Sequence, residues 1–165
     1  MTTKMMVRYG FLLALSVILS YVEYLVEIPI LFPGAKLGLA NAVGLIVLYY
    51  FGIKYFSMFG ILRVLLSAIL WTGFGINFFI SISGTLLATI MTILVAKYTK
   101  ASIYGISISG AILHGLGQVI MVAILYQTLY MLTYVVFLII SGIITGYLMA
   151  LIVASLICRM PKIVN

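Results

Sequence analysis

A chain of 165 residues that is 66% hydrophobic and 7% charged, with Glu23 and Glu27 as its only acids, is not built for water; soluble domains carry roughly 25% charged residues. The formal charge of +7 does not mark a nucleic-acid binder, because the nine basic residues punctuate apolar runs instead of clustering on a polar surface. The single cysteine, Cys158, excludes an intrachain disulfide.

Apolar runs of about 20 residues follow one another along almost the whole sequence, each long enough to cross a hydrocarbon core of about 30 Å. Backbone in lipid must satisfy its own hydrogen bonds, which leaves helices or closed barrels. The runs lack the in-out alternation of barrel strands. The expectation is an all-α fold: one transmembrane domain over residues 1–165, an integral membrane six-helix bundle.

The first span is predicted at about 8–26. Lys4 and Arg8 precede it as in a signal peptide, but no small-residue cleavage site follows, so the segment is expected to be retained. It carries Gly10 and Ala14, and Glu23 and Glu27 share one face at its end. These carboxylates either sit in headgroup water or face a cavity. The connection 27–36 holds Pro29, Pro33 and Gly34, and proline disfavours helix in the residue before it, so this segment does not continue the first span. Lys36 and Asn41 open a second span at about 37–53. In the third, about 56–72, Arg63 lies at a depth of roughly 10 Å, where it either snorkels to the interface or turns inward.

Asn77 belongs to the turn Gly73–Asn77, where a plain turn role competes with a ligand contact. The fourth span, about 78–97, carries Gly84 and Ala88 four apart. His114 and Gln118 share a face near the middle of the fifth, about 103–126. The sixth, about 131–157, repeats Gly142, Gly146, Ala150 and Ala154 at intervals of four. Such small-residue stripes permit close helix approach. They serve either internal packing or, for Gly10/Ala14 and the long stripe of the sixth span, docking of a partner.

With the N-terminus inside, Lys4, Arg8, Lys54, Lys97, Lys100, Arg159 and Lys162 all fall on the cytoplasmic side and only Lys36 falls outside. This positive-inside bias predicts a multi-pass protein of the plasma membrane with both termini cytoplasmic. Tyr49, Tyr50, Tyr55, Tyr98 and Tyr104 then mark the inner interface, and Tyr21, Tyr24, Trp71, Phe74, Tyr126 and Tyr130 the outer one.

Ionisable and amide groups within membrane segments are functional candidates by default. They are Glu23, Glu27, Lys36, Asn41, Arg63, Asn77, His114 and Gln118, most of them in the outer half. No catalytic residue, metal ligand or cofactor is expected. There is no Gly-rich phosphate loop ending in Lys-Ser/Thr, and no Ser-His-Asp arrangement is possible without Asp. No Cys/His cluster suggests a metal.

Several blocks read together: Glu27-Ile-Pro29 followed by Phe32-Pro-Gly-Ala-Lys36-Leu-Gly-Leu-Ala-Asn41, Leu62-Arg63, Ser83-Gly84, and Ser107-Ile-Ser-Gly110-Ala-Ile-Leu-His114-Gly-Leu-Gly117-Gln118. Over residues 8–155 the sequence resembles the membrane family called heptaprenyl diphosphate synthase component I, or Gx transporter. That family is similar to the substrate-binding S components of energy-coupling-factor (ECF) transporters. The resemblance implies a six-helix protein that captures a small, vitamin-like solute from outside. Its implied partners are a transmembrane coupling subunit and cytoplasmic ATPases. The Ala-x-x-x-Ala docking motif of many S components has its nearest match in Gly10-x-x-x-Ala14. The synthase name implies instead an accessory membrane subunit of polyprenyl or quinone biosynthesis. Catalysis of chain elongation would need Asp-rich motifs to hold Mg²⁺, and this sequence has no Asp.

Overall fold

A computed structural model describes residues 2–25 and 38–159. Glu27, Lys36 and the proline-rich connection lie outside the described residues. Among those described there are six α-helices and no strand: α1 (Thr3–Leu25), α2 (Leu39–Phe51), α3 (Ile53–Ser67), α4 (Ile76–Tyr98), α5 (Ile103–Leu125) and α6 (Val135–Arg159). Helix α3 runs on into a π-helical turn, Ala68–Thr72, and a 3₁₀ segment, Leu129–Tyr134, leads into α6. Counting these extensions, α1, α3, α4, α5 and α6 are each long and apolar enough to cross a membrane.

Successive helices are antiparallel. The Tyr9 hydroxyl donates to the Tyr55 carbonyl at 3.1 Å, and the Tyr9 ring stands edge-on to Phe51, so the start of α1, the end of α2 and the start of α3 share one end of the bundle. At the other end the rings of Tyr21 and Trp71 lie 5.2 Å apart, joining α1 to the end of α3. Between α2 and α3 stands a single residue, Gly52, at φ 84°, a left-handed conformation that favours glycine.

Helix α2 departs from the expected second span of 37–53. It has 13 residues, about 20 Å of helix, which is short of the hydrocarbon thickness. Its first turn lies beside the middles of its neighbours: the Ser16 hydroxyl of α1 donates to the Ala40 carbonyl, Asn41 accepts from Arg63 of α3, and Gly38 faces Met149 of α6. The N-terminus of α2 therefore opens inside the bundle. The rest of α2 is the core. Ala42, Leu45 and Ile46 pack with Met149 and Val153, and Val43 and Val47 pack with Phe59. Large apolar side chains such as Phe11, Ile69 and Ile124 point outward, as they do where lipid and not water surrounds a protein.

Small residues set the closest crossings. A Cβ on Gly117 would lie 2.8 Å from the Ser83 carbonyl, and one on Gly146 would lie 2.8 Å from the Ile108 Cα. Serines bridge the same two contacts: Ser83 donates to the Gly117 carbonyl at 2.9 Å, and Ser107 to the Gly146 carbonyl at 2.7 Å. Gly142, Gly146 and Ala150 are thus buried inside the bundle, and this part of the sixth-span stripe packs internally instead of offering a partner surface. Ala154 is half-buried. Gly10 and Ala14 are exposed, and nothing lies within 4 Å of a Cβ placed on Gly10, so the α1 pair is the part of the small-residue pattern left on the surface.

Candidate functional site

The short α2 leaves room above its first turn, and α1, α3, α4, α5 and α6 line that space as a partly open cavity of about 170 Å³. Arg63 lines it from α3. It stands ten residues into α3, about 15 Å along the helix axis, too deep for the guanidinium to reach the interface. At 9% exposure it is buried among helices, which excludes the snorkelling alternative. Nη1 donates to Asn41 Oδ1 at 2.9 Å and Nη2 to Thr85 Oγ1 at 3.4 Å, so three helices converge on one guanidinium. A charge at this depth is costly, and its two neutral partners offset only part of that cost.

Glu23 lines the same cavity, close enough to Arg63 to interact with it electrostatically, and one of its carboxylate oxygens is used at the start of α2. Oε1 accepts the Leu39 backbone N–H at 2.7 Å, at the first residue of α2. The first N–H groups of a helix have no intrahelical acceptor and carry a partial positive charge, so a carboxylate from α1 stabilises an N-terminus that would otherwise open unsatisfied inside the bundle.

Opposite Arg63, α5 presents His114 and Gln118. Gly84 of α4 makes their approach possible. A Cβ at that position would stand 2.8 Å from Gln118 Cγ, 2.8 Å from the His114 carbonyl oxygen and 3.2 Å from His114 Cε1. A third wall comes from α4, where Ser81, Thr85, Thr89 and Thr92 put hydroxyls on one face. Gly60 of α3 gives this ladder space: its Cβ would come within 2.9 Å of Thr85 Cγ2. Near the Tyr21 end, the π-helical turn brings Trp71 and Thr72 to the cavity. Such a turn inside an α-helix is frequent at functional sites.

Of the residues expected from the sequence, Glu23, Asn41, Arg63, His114 and Gln118 are brought together. Asn77 is not: it is exposed in the first turn of α4 and does not line the cavity. Glu27 and Lys36 lie outside the described residues. Sequence reasoning missed the α4 hydroxyls and Trp71 as lining residues. The i, i+4, i+8, i+11 spacing of Ser81, Thr85, Thr89 and Thr92 was the available signal.

A bundle of long apolar helices around a partly open cavity with polar side chains in its lining defines a multi-pass helical membrane protein. The chain belongs to the heptaprenyl diphosphate synthase component I family, whose model matches residues 12–156. No curated protein and no solved structure matches it.

Proposed function

We propose that the chain is the membrane-embedded substrate-binding component of an ECF-type transporter, capturing a small solute from outside and performing no chemistry itself. The observation that carries this reading is the cavity: a buried cation, an amide, an imidazole and a ladder of hydroxyls gathered in an otherwise apolar bundle. Polar groups at mid-membrane depth are costly, and they gather where a solute or water is to be held. In the proposed topology both termini are cytoplasmic, because the basic residues concentrate on that side. The Glu23 and Trp71 end then faces outward and admits the solute. Asn41, Arg63, His114 and Gln118 supply the contacts, together with Lys36 and Glu27 from the connection. The exposed Gly10/Ala14 face of α1 suits close docking of a coupling subunit, with ATPases on the cytoplasmic side.

The family's description favours a second reading, a non-catalytic accessory subunit of polyprenyl or quinone biosynthesis. Affinity purification of the tagged protein from its native membrane separates the two. Co-purifying ATPases and a membrane coupling subunit support transport. A soluble, Asp-rich prenyl synthase in their place overturns it in favour of the accessory role.

A further inference from the structure

We infer that the solute is a small carboxylic acid carrying one negative charge, whose carboxylate seats on Arg63 in the middle of the bundle. This rests on reading the cavity as a solute site and names the class of solute it takes.

Arginine has five N–H donors in a planar fork and keeps its charge in proteins. The hydrogen bonds of Arg63 go to a neutral amide and a neutral hydroxyl. Glu23 is the only acid among the described residues, and its carboxylate is held at the N-terminus of α2, 2.7 Å from the Leu39 nitrogen. Among the described residues the lining therefore contributes one full positive charge from Arg63, about half a charge from the α2 N-terminus and one negative charge from Glu23. That sum is about +0.5, and one carboxylate takes it to about −0.5, a small imbalance of the opposite sign. A diphosphate would add several uncompensated negative charges, and a neutral solute would offer the guanidinium only further neutral partners, with Glu23 its one counter-charge among the described residues. A carboxylate also matches the fork, accepting two parallel N–H bonds.

Size points the same way. A cavity of about 170 Å³ resembles the engineered cavity of roughly 150 Å³ that holds a benzene molecule. Its interior has room for about one ring and its substituents. Phe59, Trp71 and Phe78 give the acid's body an apolar bed, and the α4 hydroxyls accommodate polar substituents.

Trp71 provides the readout, since it is the chain's single tryptophan and lines the cavity. The purified full-length protein in nanodiscs is titrated with benzoate and cyclohexanecarboxylate, with benzamide and cyclohexanecarboxamide as uncharged counterparts, and with isopentenyl diphosphate. The expected result is saturable quenching by the acids, with the amides and the diphosphate roughly 30-fold weaker or more, the loss typical of removing one partner of a buried charge pair. Arg63→Gln should abolish the preference for acid over amide, and Arg63→Lys should retain part of it. The comparison of acid with amide in the unaltered protein stands even if a variant does not fold. Amides or the diphosphate binding as well as the acids, or an acid preference that survives in Arg63→Gln, overturns the carboxylate assignment while leaving a solute site in place. Silence from every probe removes both the assignment and the solute-site reading.

Discussion

Adding one methyl group at Gly84 is the most demanding test of how the cavity is built. The Cβ of Gly84→Ala would stand 2.8 Å from the His114 carbonyl oxygen and 2.8 Å from Gln118 Cγ. Carbon contacts settle near 3.5–4.0 Å, so α4 and α5 must separate by roughly 0.7 Å or more. The obstructing oxygen is backbone inside a helix and cannot rotate away. Overpacking of this kind costs about 1–3 kcal/mol. At roughly 2–4 °C per kcal/mol for a chain of this size, the midpoint of thermal unfolding should fall by about 2–12 °C. The same displacement moves His114 and Gln118 away from the cavity, so solute affinity should fall with stability. Gly10→Ala is the matched control, because its Cβ meets nothing within 4 Å. It should leave the midpoint unchanged or raise it slightly, as alanine favours helix over glycine by up to about 1 kcal/mol. Intrinsic fluorescence of the detergent-solubilised variants during heating supplies both midpoints. Equal midpoints for the two variants would refute the close α4–α5 crossing and with it the placement of His114 and Gln118.

Glu23→Ala should destabilise the protein by about 1 kcal/mol, the usual worth of a helix N-terminal acceptor, whereas Glu23→Gln should retain most of that contribution because the amide oxygen still accepts from Leu39; thermal unfolding decides, and identical midpoints for Ala and wild type would contradict the capping role. Gly146→Leu should prevent recovery of monodisperse protein, since even a Cβ there meets the Ile108 backbone at 2.8 Å; size-exclusion chromatography checks this, and a normal profile would mean that the stripe does not face α5. Cysteines introduced at positions 54 and 100, with Cys158 replaced by serine, should react with an impermeant thiol reagent only after the cells are opened, and labelling of intact cells would reverse the proposed topology.

The helices were legible because their signals are local. Charge-marked ends and apolar runs place α4 at 78–97 where the structure has Ile76–Tyr98, and α5 at 103–126 where it has Ile103–Leu125. The depth of Arg63 was misjudged because Gly52 lets α3 begin at Ile53, against an expected start near 56, which puts the guanidinium a turn deeper than expected. The half-length of α2 was not legible at all. Its apolar run continues through the expected span, and only the contacts of Ala40, Asn41 and Gly38 with the middles of other helices reveal where it starts. Convergence of Asn41, Arg63, His114 and Gln118 follows from antiparallel packing, which intervals in one sequence do not specify. The hydroxyl ladder of α4 was overlooked because Ser and Thr are common at helix interfaces in membranes and, taken singly, carry no functional signal. The Gly142–Ala154 interval left internal packing and partner docking open; which helix approaches it is a tertiary fact, and Gly142 and Gly146 meet α5.

If the cavity around Arg63, His114 and Gln118 holds a small solute, the protein should carry it through gentle extraction. Native mass spectrometry of the gently extracted protein tests this most directly, comparing wild type with His114→Ala and Gln118→Ala. Loss of either side chain should weaken binding by about 1–3 kcal/mol, because a polar group of the buried solute is left without its partner. A discrete small-molecule adduct is expected on the wild-type chain, strongly reduced in both variants, while their thermal unfolding midpoints without solute stay close to wild type. An adduct retained equally by all three proteins would contradict the solute-site reading.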